Sequence, residues 1–332
     1  MKILKFFSIV FFLGALFLGS FAGARISAAE PVASPSPAEA REAAAAPAPT
    51  PVAEVQHQTV EQLCKQLDQS IARFKWKIKP CQNIMWKVGG ESVQGRPLIY
   101  AEFGDPKAEN TTLVFSSVHG DEITPIYIGF ELVQWLKENE NQFLGNHIIV
   151  APLVNPDGFF RKPRTRMNAH GVDVNRNFAT KDWPDHALAI WKKKFRSDPR
   201  RFPGASPHSE PETVFQEELI SKVKPTKIIS VHAPLNFLDY DGPSTLSLDR
   251  FPHEYVQKCL ELRHKVRAIS SGFFVGSLGN YSGVELGIPT LTLELPTADP
   301  AKAEAYWKKF NVGIKTVIEY KIVPGYALTS SR

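Results

Sequence analysis

The chain is poor in sulfur. Three cysteines and three methionines in 332 residues exclude a disulfide-built scaffold. They also exclude a cysteine-rich zinc module, which needs paired thiolates at short spacing. A decisive charge is missing too. The 39 basic and 34 acidic side chains leave +5, scattered along the chain, without the basic stripe that nucleic-acid binding requires. There are no internal repeats. Beyond the first 24 residues no apolar run is long enough to span a bilayer.

The N-terminus reads as an address. Lys2 and Lys5 precede an almost wholly apolar run from Phe6 to Phe21, and Ala22-Gly23-Ala24 supplies the small residues of a cleavage site. This pattern predicts a signal peptide over 1–24, with an uncleaved anchor as the alternative. No cysteine lies near the cleavage site, which argues against a lipoprotein. Residues 25–57 contain Pro31, Pro35, Pro37, Pro47, Pro49 and Pro51 among alanines. Such a stretch buries too little apolar surface to offset its ordering entropy and reads as an extended linker. Export implies an oxidising compartment. Cys64 and Cys81 are close enough in sequence to bridge, leaving Cys259 over; three unpaired thiols are the alternative.

Residues 58–332 alternate strand and helix patterns. Short apolar β-type runs lie at 112–117, 147–152, 227–231 and 289–295. Helical spacing covers 123–138, 210–223 and 251–270. The alternation predicts an α/β fold with a mostly parallel mixed sheet flanked by helices. In such sheets ligands bind beyond the carboxyl ends of the strands. His119-Gly-Asp-Glu122, Asn155-Pro-Asp-Gly158, His232 and Glu294 all fall at those ends. Two imidazoles and a carboxylate make a catalytic zinc set that leaves a fourth position open. His119, Glu122 and His232 are therefore candidate ligands for one zinc per chain. Each alone has a blander reading: a chance His-x-x-Glu, or a satisfied buried histidine. Glu294 sits in an apolar strand, where an unpaired carboxylate is costly; a structural ion pair is its alternative.

These motifs resemble those of the zinc metallocarboxypeptidases of the carboxypeptidase A type, over roughly residues 86–296. The matching stretches are Gly90–Pro97, His119–Glu122, Asn155–Gly158, Gly171–Phe178, Pro203–Thr213, Val231–Ala233 and Leu291–Leu295. Arg166-Met-Asn-Ala-His-Gly171, leading directly into Val-Asp-Val-Asn-Arg-Asn-Phe178, resembles the bacterial murein peptide amidases. So do Gly279–Ser282 and Glu285–Pro289. The resemblance implies zinc on His119, Glu122 and His232, with Glu294 as general base toward a zinc-activated water. It implies Arg166 at the oxyanion, with Arg161 and Arg164 as rivals in the same loop, and Asn175 and Arg176 on a substrate carboxylate. It further implies an exported peptidase, periplasmic or extracellular, that cuts the D-glutamyl–meso-diaminopimelate bond of murein peptides. An ordinary carboxypeptidase is the alternative; a catalytically dead binding module and a deacylase on a related fold are more distant ones. No tyrosine matches the mobile tyrosine of the digestive enzymes, although Tyr240 and Tyr281 are candidates. Asp239 and Asp241 closely follow His232, and either could pair with the distal ammonium of diaminopimelate; a solvated turn is the bland alternative. Asn110-Thr-Thr112 is a glycosylation sequon should the source be eukaryotic.

Overall fold

A computed structural model describes residues 56–242, 266–267 and 274–322. The signal-peptide segment, the linker up to residue 55, Cys259 and most of the helix expected over 251–270 lie outside them. Four apolar runs make the centre of one sheet: β3 (Asn110–Ser116), β4 (Asn146–Ala151), β5 (Lys227–His232) and β8 (Thr290–Glu294). They are buried along almost their whole length because both faces are covered, as parallel strands require. β4, β3, β5 and β8 lie side by side in parallel. The outer strands were not evident from the sequence: β1 (Lys87–Glu91), β2 (Pro97–Gly104), β6 (Phe237–Asp241) and β7 (Val266–Arg267). The order is β1-β2-β4-β3-β5-β8-β6-β7. β2 runs antiparallel to β4, and β6 antiparallel to β8. At 266–267 the expected helix gives way to a strand paired with Leu238–Asp239; hydrogen bonds at an open sheet edge override the local helical spacing there.

Helices close both faces. α2 (Ile123–Glu138) takes the range read from its spacing. With the last helix, here α6 (Ala303–Glu319), it covers the face built by Val114, Val150, Ile229, Val231, Leu291 and Leu293. The other face, with Leu113, Phe115, Ile149 and Ile228, receives Phe215, Leu219 and Ile220 from α5 (Pro211–Val223). α1 (Val60–Ile71) begins at Thr59, whose hydroxyl accepts from the Gln62 N–H while the Gln62 side chain accepts from the Thr59 N–H. Leu63, Leu67 and Ile71, four residues apart, bury its inner stripe. Two shorter helices, α3 (Pro156–Phe160) and α4 (Trp183–Lys193), follow β4 in sequence. Among the described residues no helix is long and apolar enough to cross a membrane.

Asn110 is buried, and its Nδ2 donates to the carbonyls of Ile318 and Glu319. Its side chain is spent on docking the end of α6, so the sequon is not an accessible acceptor. Cys64 and Cys81 form a disulfide. It closes a loop of 17 residues between α1 and the segment leading into β1. A loop of that size restrains the unfolded chain by about 3 kcal/mol. Reduction, or Cys64→Ser, is therefore expected to lower the unfolding free energy by roughly that amount, measured by urea unfolding with and without reductant.

Candidate active site

The parallel strands end together, and the site is built on that edge. β3 leads through Ser117 and Val118 to His119; β5 ends on His232; β8 ends on Glu294. His232 and Glu294 are register partners on adjacent strands. Side chains alternate across the sheet. Leu291 and Leu293 therefore face α2 and α6, while Thr290, Thr292 and Glu294 share the opposite face with Ser230 and His232.

His119, Glu122 and His232 converge as expected, all three buried. His119 Nδ1 lies 2.8 Å from Glu122 Oε1. His232 Nδ1 lies 3.1 Å from Glu122 Oε2 and 3.2 Å from His119 Nδ1. The far ring nitrogens are anchored: His119 Nε2 stands 3.1 Å from Asp173 Oδ1, and His232 Nε2 3.0 Å from Ser230 Oγ. With Nε2–H donating outward on both rings, the two Nδ1 lone pairs face the carboxylate. Lone pairs crowded in this way call for a cation between them. Ligands placed tetrahedrally about 2.0–2.1 Å from zinc stand about 3.3 Å apart, so the donor set fits zinc in both chemistry and spacing. Burial acts against ionisation of Glu122, but in their cationic forms the facing imidazoles hold its carboxyl well below the usual range. The Ala233 N–H also donates to it at 3.1 Å.

Asp173 was not singled out from the sequence, where Asn175 and Arg176 dominate its motif. It is fully buried. One oxygen faces His119 Nε2 and accepts from the Asn175 N–H at 3.1 Å; the other accepts from Arg166 Nε at 2.8 Å. Burial would raise its pKa, but the Arg166 guanidinium and His119 hold it well below the ordinary value. Arg166 Nη1 then reaches 3.1 Å from His119 Nδ1 and 3.6 Å from Glu122 Oε1. Of the three arginines in the loop, Arg166 is thus the one at the triad. Arg164 packs its guanidinium over Phe159 and Phe74, and Arg161 is exposed.

The remaining motifs hold this loop. Asp157 accepts from Ser92 Oγ at 2.8 Å, the Gln94 N–H at 2.9 Å and Arg96 Nη1 at 2.6 Å, which locks the Gly90–Pro97 turn to α3. Asn155 donates to the Arg166 carbonyl at 3.1 Å. Asn168 donates to Glu210 and Glu212 at 2.7 and 2.8 Å. Gly120 lies against the Gly158–Phe159 backbone, where a Cβ would come within 2.2 Å; only glycine lets the His119 turn pack there.

Glu294 is buried, and its Oε2 accepts from the Leu235 N–H at 3.2 Å. Burial raises its pKa, as suits a group that takes and returns a proton. Asn175 uses its Oδ1 to accept from the Leu278 N–H at 2.8 Å. Arg176 is buried, and burial brings it down to about 10.

Phe237, Asp239 and Asp241 pair with Glu294, Thr292 and Thr290, so both aspartates share the face of Glu294. At about 3.3 Å per residue, Asp239 stands about 7 Å along the strand from the Glu294 level and Asp241 about 13 Å. Asp241 lies beneath the helical turn Gly279–Glu285, where a Cβ on Gly279 would strike its Oδ2. Burial, reinforced by the charge of Asp239, pushes the Asp241 carboxyl up to about 7. Tyr240 points to the other face, into the core with Leu238, which removes it as a catalytic candidate. Tyr281 packs on Phe178 at 5.5 Å.

A model of the zinc carboxypeptidase family matches residues 77–269. Murein peptide amidase A of Escherichia coli strain K12 is 30% identical over 211 residues, 62% of this chain and 79% of that protein. The carboxypeptidase N catalytic chain of Rattus norvegicus is 33% identical over 112 residues, 27% of this chain and 24% of that one. Bovine thrombin-activatable fibrinolysis inhibitor, solved in complex with tick carboxypeptidase inhibitor, has the same fold. It superposes with a TM-score of 0.56 over 79% of this chain and 96% of that chain, at 18% identity.

Loss of the Asp173 carboxylate frees both His119 and Arg166. Asp173→Ala is expected to weaken zinc affinity by about 10–100-fold, the usual scale for a lost partner behind a ligand, measured by competition with a chromogenic chelator. Asp241 gives a pH signature. Between about pH 4 and 7 the folded protein keeps a proton that the unfolded chain has released, so stability falls as pH rises through that window and the full penalty stands above it. Asp241→Asn is expected to gain stability over the wild type progressively across the same window and to keep the gain above it, read from urea unfolding at a series of pH values.

Proposed function

Because the chain belongs to the zinc carboxypeptidase family and is a zinc metallopeptidase, we propose that it is an exported enzyme hydrolysing the D-glutamyl–meso-diaminopimelate bond of murein peptides. What carries the chemistry is the meeting of three buried ligand side chains with Glu294 one strand away and Arg166 above them. What favours murein is the likeness to murein peptide amidase A, which extends over most of that protein. Residues 1–24 act as a signal peptide, residues 25–57 as a linker, and 58–332 as the peptidase domain. The Cys64–Cys81 disulfide supports a periplasmic or extracellular setting.

His119, Glu122 and His232 would hold one zinc. Bound there, zinc would polarise the scissile carbonyl and acidify a water. Glu294 accepts the proton of the attacking water and passes it to the leaving amine nitrogen. Asp173 fixes the Arg166 guanidinium, which donates to the carbonyl oxygen as negative charge develops on it. Arg176 and the Nδ2 of Asn175 hold the α-carboxylate of the leaving residue. Asp239, two positions along the sheet face from Glu294, pairs with the distal ammonium; Asp241 lies further off and supports it.

Glu294→Gln keeps the shape of the side chain but cannot take a proton. Metal content by elemental analysis is expected to be unchanged, and turnover to fall by at least about a hundredfold. Product mass spectrometry on a panel of murein and ordinary peptides tests the substrate. Release of diaminopimelate from the tripeptide, well ahead of release of ordinary C-terminal residues, is the expected outcome; equal rates would make the enzyme a general carboxypeptidase.

A further inference from the structure

A group of cations gathers around two phenyl rings, Phe195 and Phe274. The Arg176 guanidinium lies 4.6 Å from the centroid of Phe274, and the Lys194 ammonium 5.9 Å from the same ring. Lys194 is also 5.5 Å from Phe195, over which the Arg201 guanidinium stands at 4.7 Å. Arg176 and Arg201 line one cavity whose other walls are apolar, among them Ile190, Trp191, Phe195 and Phe274. Aromatic faces can hold a cation against an apolar wall without neutralising it.

The charges in this cavity are not balanced as they are around the metal ligands. Arg166 is paired with Asp173. Arg176 makes no ion pair among the described residues, although it is only 8% exposed. Its Nη1 is taken up by the Asn175 carbonyl, and its Nε has no hydrogen-bond partner. Arg201 meets one carboxylate, Asp198, at 3.7 Å. Burial is the main cause that disfavours the protonated Arg176; the charge of Asp173 works against it, and the charges of Arg166 and Arg201 add to it. Two like charges in an apolar-walled cavity, one with an orphaned donor, are relieved by an anion placed between them.

We propose that this cavity takes a second carboxylate carried by the leaving residue, and that Arg201 is the residue that selects for it. This rests on the reading above, in which Arg176 holds the α-carboxylate. Diaminopimelate fits: beyond its α-carboxylate, at the far end of its side chain, it has a carbon bearing both an ammonium and a carboxylate. Lysine is the same residue with that distal carboxylate replaced by hydrogen. A planar guanidinium suits a carboxylate bidentately, so Arg201 separates the two residues where the ammonium alone cannot.

The test is steady-state kinetics on L-alanyl-γ-D-glutamyl-meso-diaminopimelate and on the same tripeptide ending in L-lysine, with wild type, Arg201→Gln and Arg201→Lys. The wild type is expected to favour the diaminopimelate peptide in kcat/KM by about tenfold or more, the scale of one charge-assisted hydrogen bond, mostly through KM. Arg201→Gln should bring the ratio close to one, and Arg201→Lys should restore part of it. A wild-type ratio near one, or a ratio unchanged in Arg201→Gln, overturns the proposal. Failure of the murein reading shows itself differently, as no cleavage of either tripeptide or as ordinary peptides cut as fast as both. In that case blocked dipeptides ending in glutamate and in glutamine ask the same question of Arg201. A preference for glutamate that Arg201→Gln abolishes upholds the site; an unchanged ratio removes it.

Discussion

The site depends on one buried carboxylate. Asp173 sits between a strand-end histidine and a loop arginine, and its charge is tolerable in the interior only because both are there. Removing one partner would leave a charge without compensation, so the three groups hold one another in place. His119 acquires its tautomer from this contact. Arg166 acquires its aim, with Nε tied to Asp173 and Nη1 directed at the ligand atoms. The backbone at Asn175 is drawn in by the same oxygen that faces His119. Asn175 and Arg176 thus start from a point fixed by the His119 half of the site.

A second layer of polar contacts keeps that carboxylate from being a lone strut. Asn155 and Asn168 bind the Arg166 loop at two points, and Glu210 and Glu212 grip Asn168 from the start of α5. Asp157 ties the turn before β2 to α3, against which Gly120 packs. These residues come from five stretches far apart in sequence. Each of them falls in a motif that reads, in the linear sequence, as though it belonged to the chemistry itself. In the fold, Ser92, Arg96, Asp157 and Glu210 do not touch the triad. They hold the loop that does, and a displacement of about an ångström at a reacting group is enough to cost a large part of catalysis.

The parts of the fold that could be read in advance are those in which local pattern and tertiary demand agree. The central strands are buried on both faces and carry short apolar runs, and α2 and α5 keep their spacing because each packs on the sheet. His119, Glu122, His232 and Glu294 were legible for the same reason: a polar group at the end of an apolar strand conflicts with its neighbours, and such conflicts mark sites. β6 was not legible, because the aspartates and glycine of Leu238-Asp-Tyr-Asp-Gly242 read as a turn, and pairing with β8 makes Phe237–Asp241 a strand. Tyr240 illustrates the consequence. Without the strand its side chain has no assigned face; with it, the alternation of β6 sends Asp239 and Asp241 to the site face and Tyr240 to the core. Asp173 was hidden by a different cause. A carboxylate that serves only through its neighbours has no chemistry of its own to announce it. Nor could spacing settle the Cys64–Cys81 pairing, since a separation of 17 residues suits a bridge and a pair of thiols equally.

Two acids of the site, Glu294 and Asp239, lie on paired strands of the sheet, and their spacing is set by register; Glu122 and Asp173 instead stand at the starts of a helix and a helical turn. The site's arginines, Arg166, Arg176 and Arg201, lie in the connecting stretch between β4 and α5, in loops and short turns. A proton must be moved over a fixed distance, and a sheet offers the most rigid frame for the group that moves it. Anions of different substrates sit at different distances, and loops can move their cations without disturbing the strands. Substitution in the stretch from 161 to 201 should therefore alter which leaving residue is accepted. Substitution at His119, Glu122, His232 or Glu294 should instead alter whether any bond is cut. The sharing of Asp173 between His119 and Arg166 limits that separation: it is the point at which the Arg166 loop and the strand end that carries His119 use the same carboxylate.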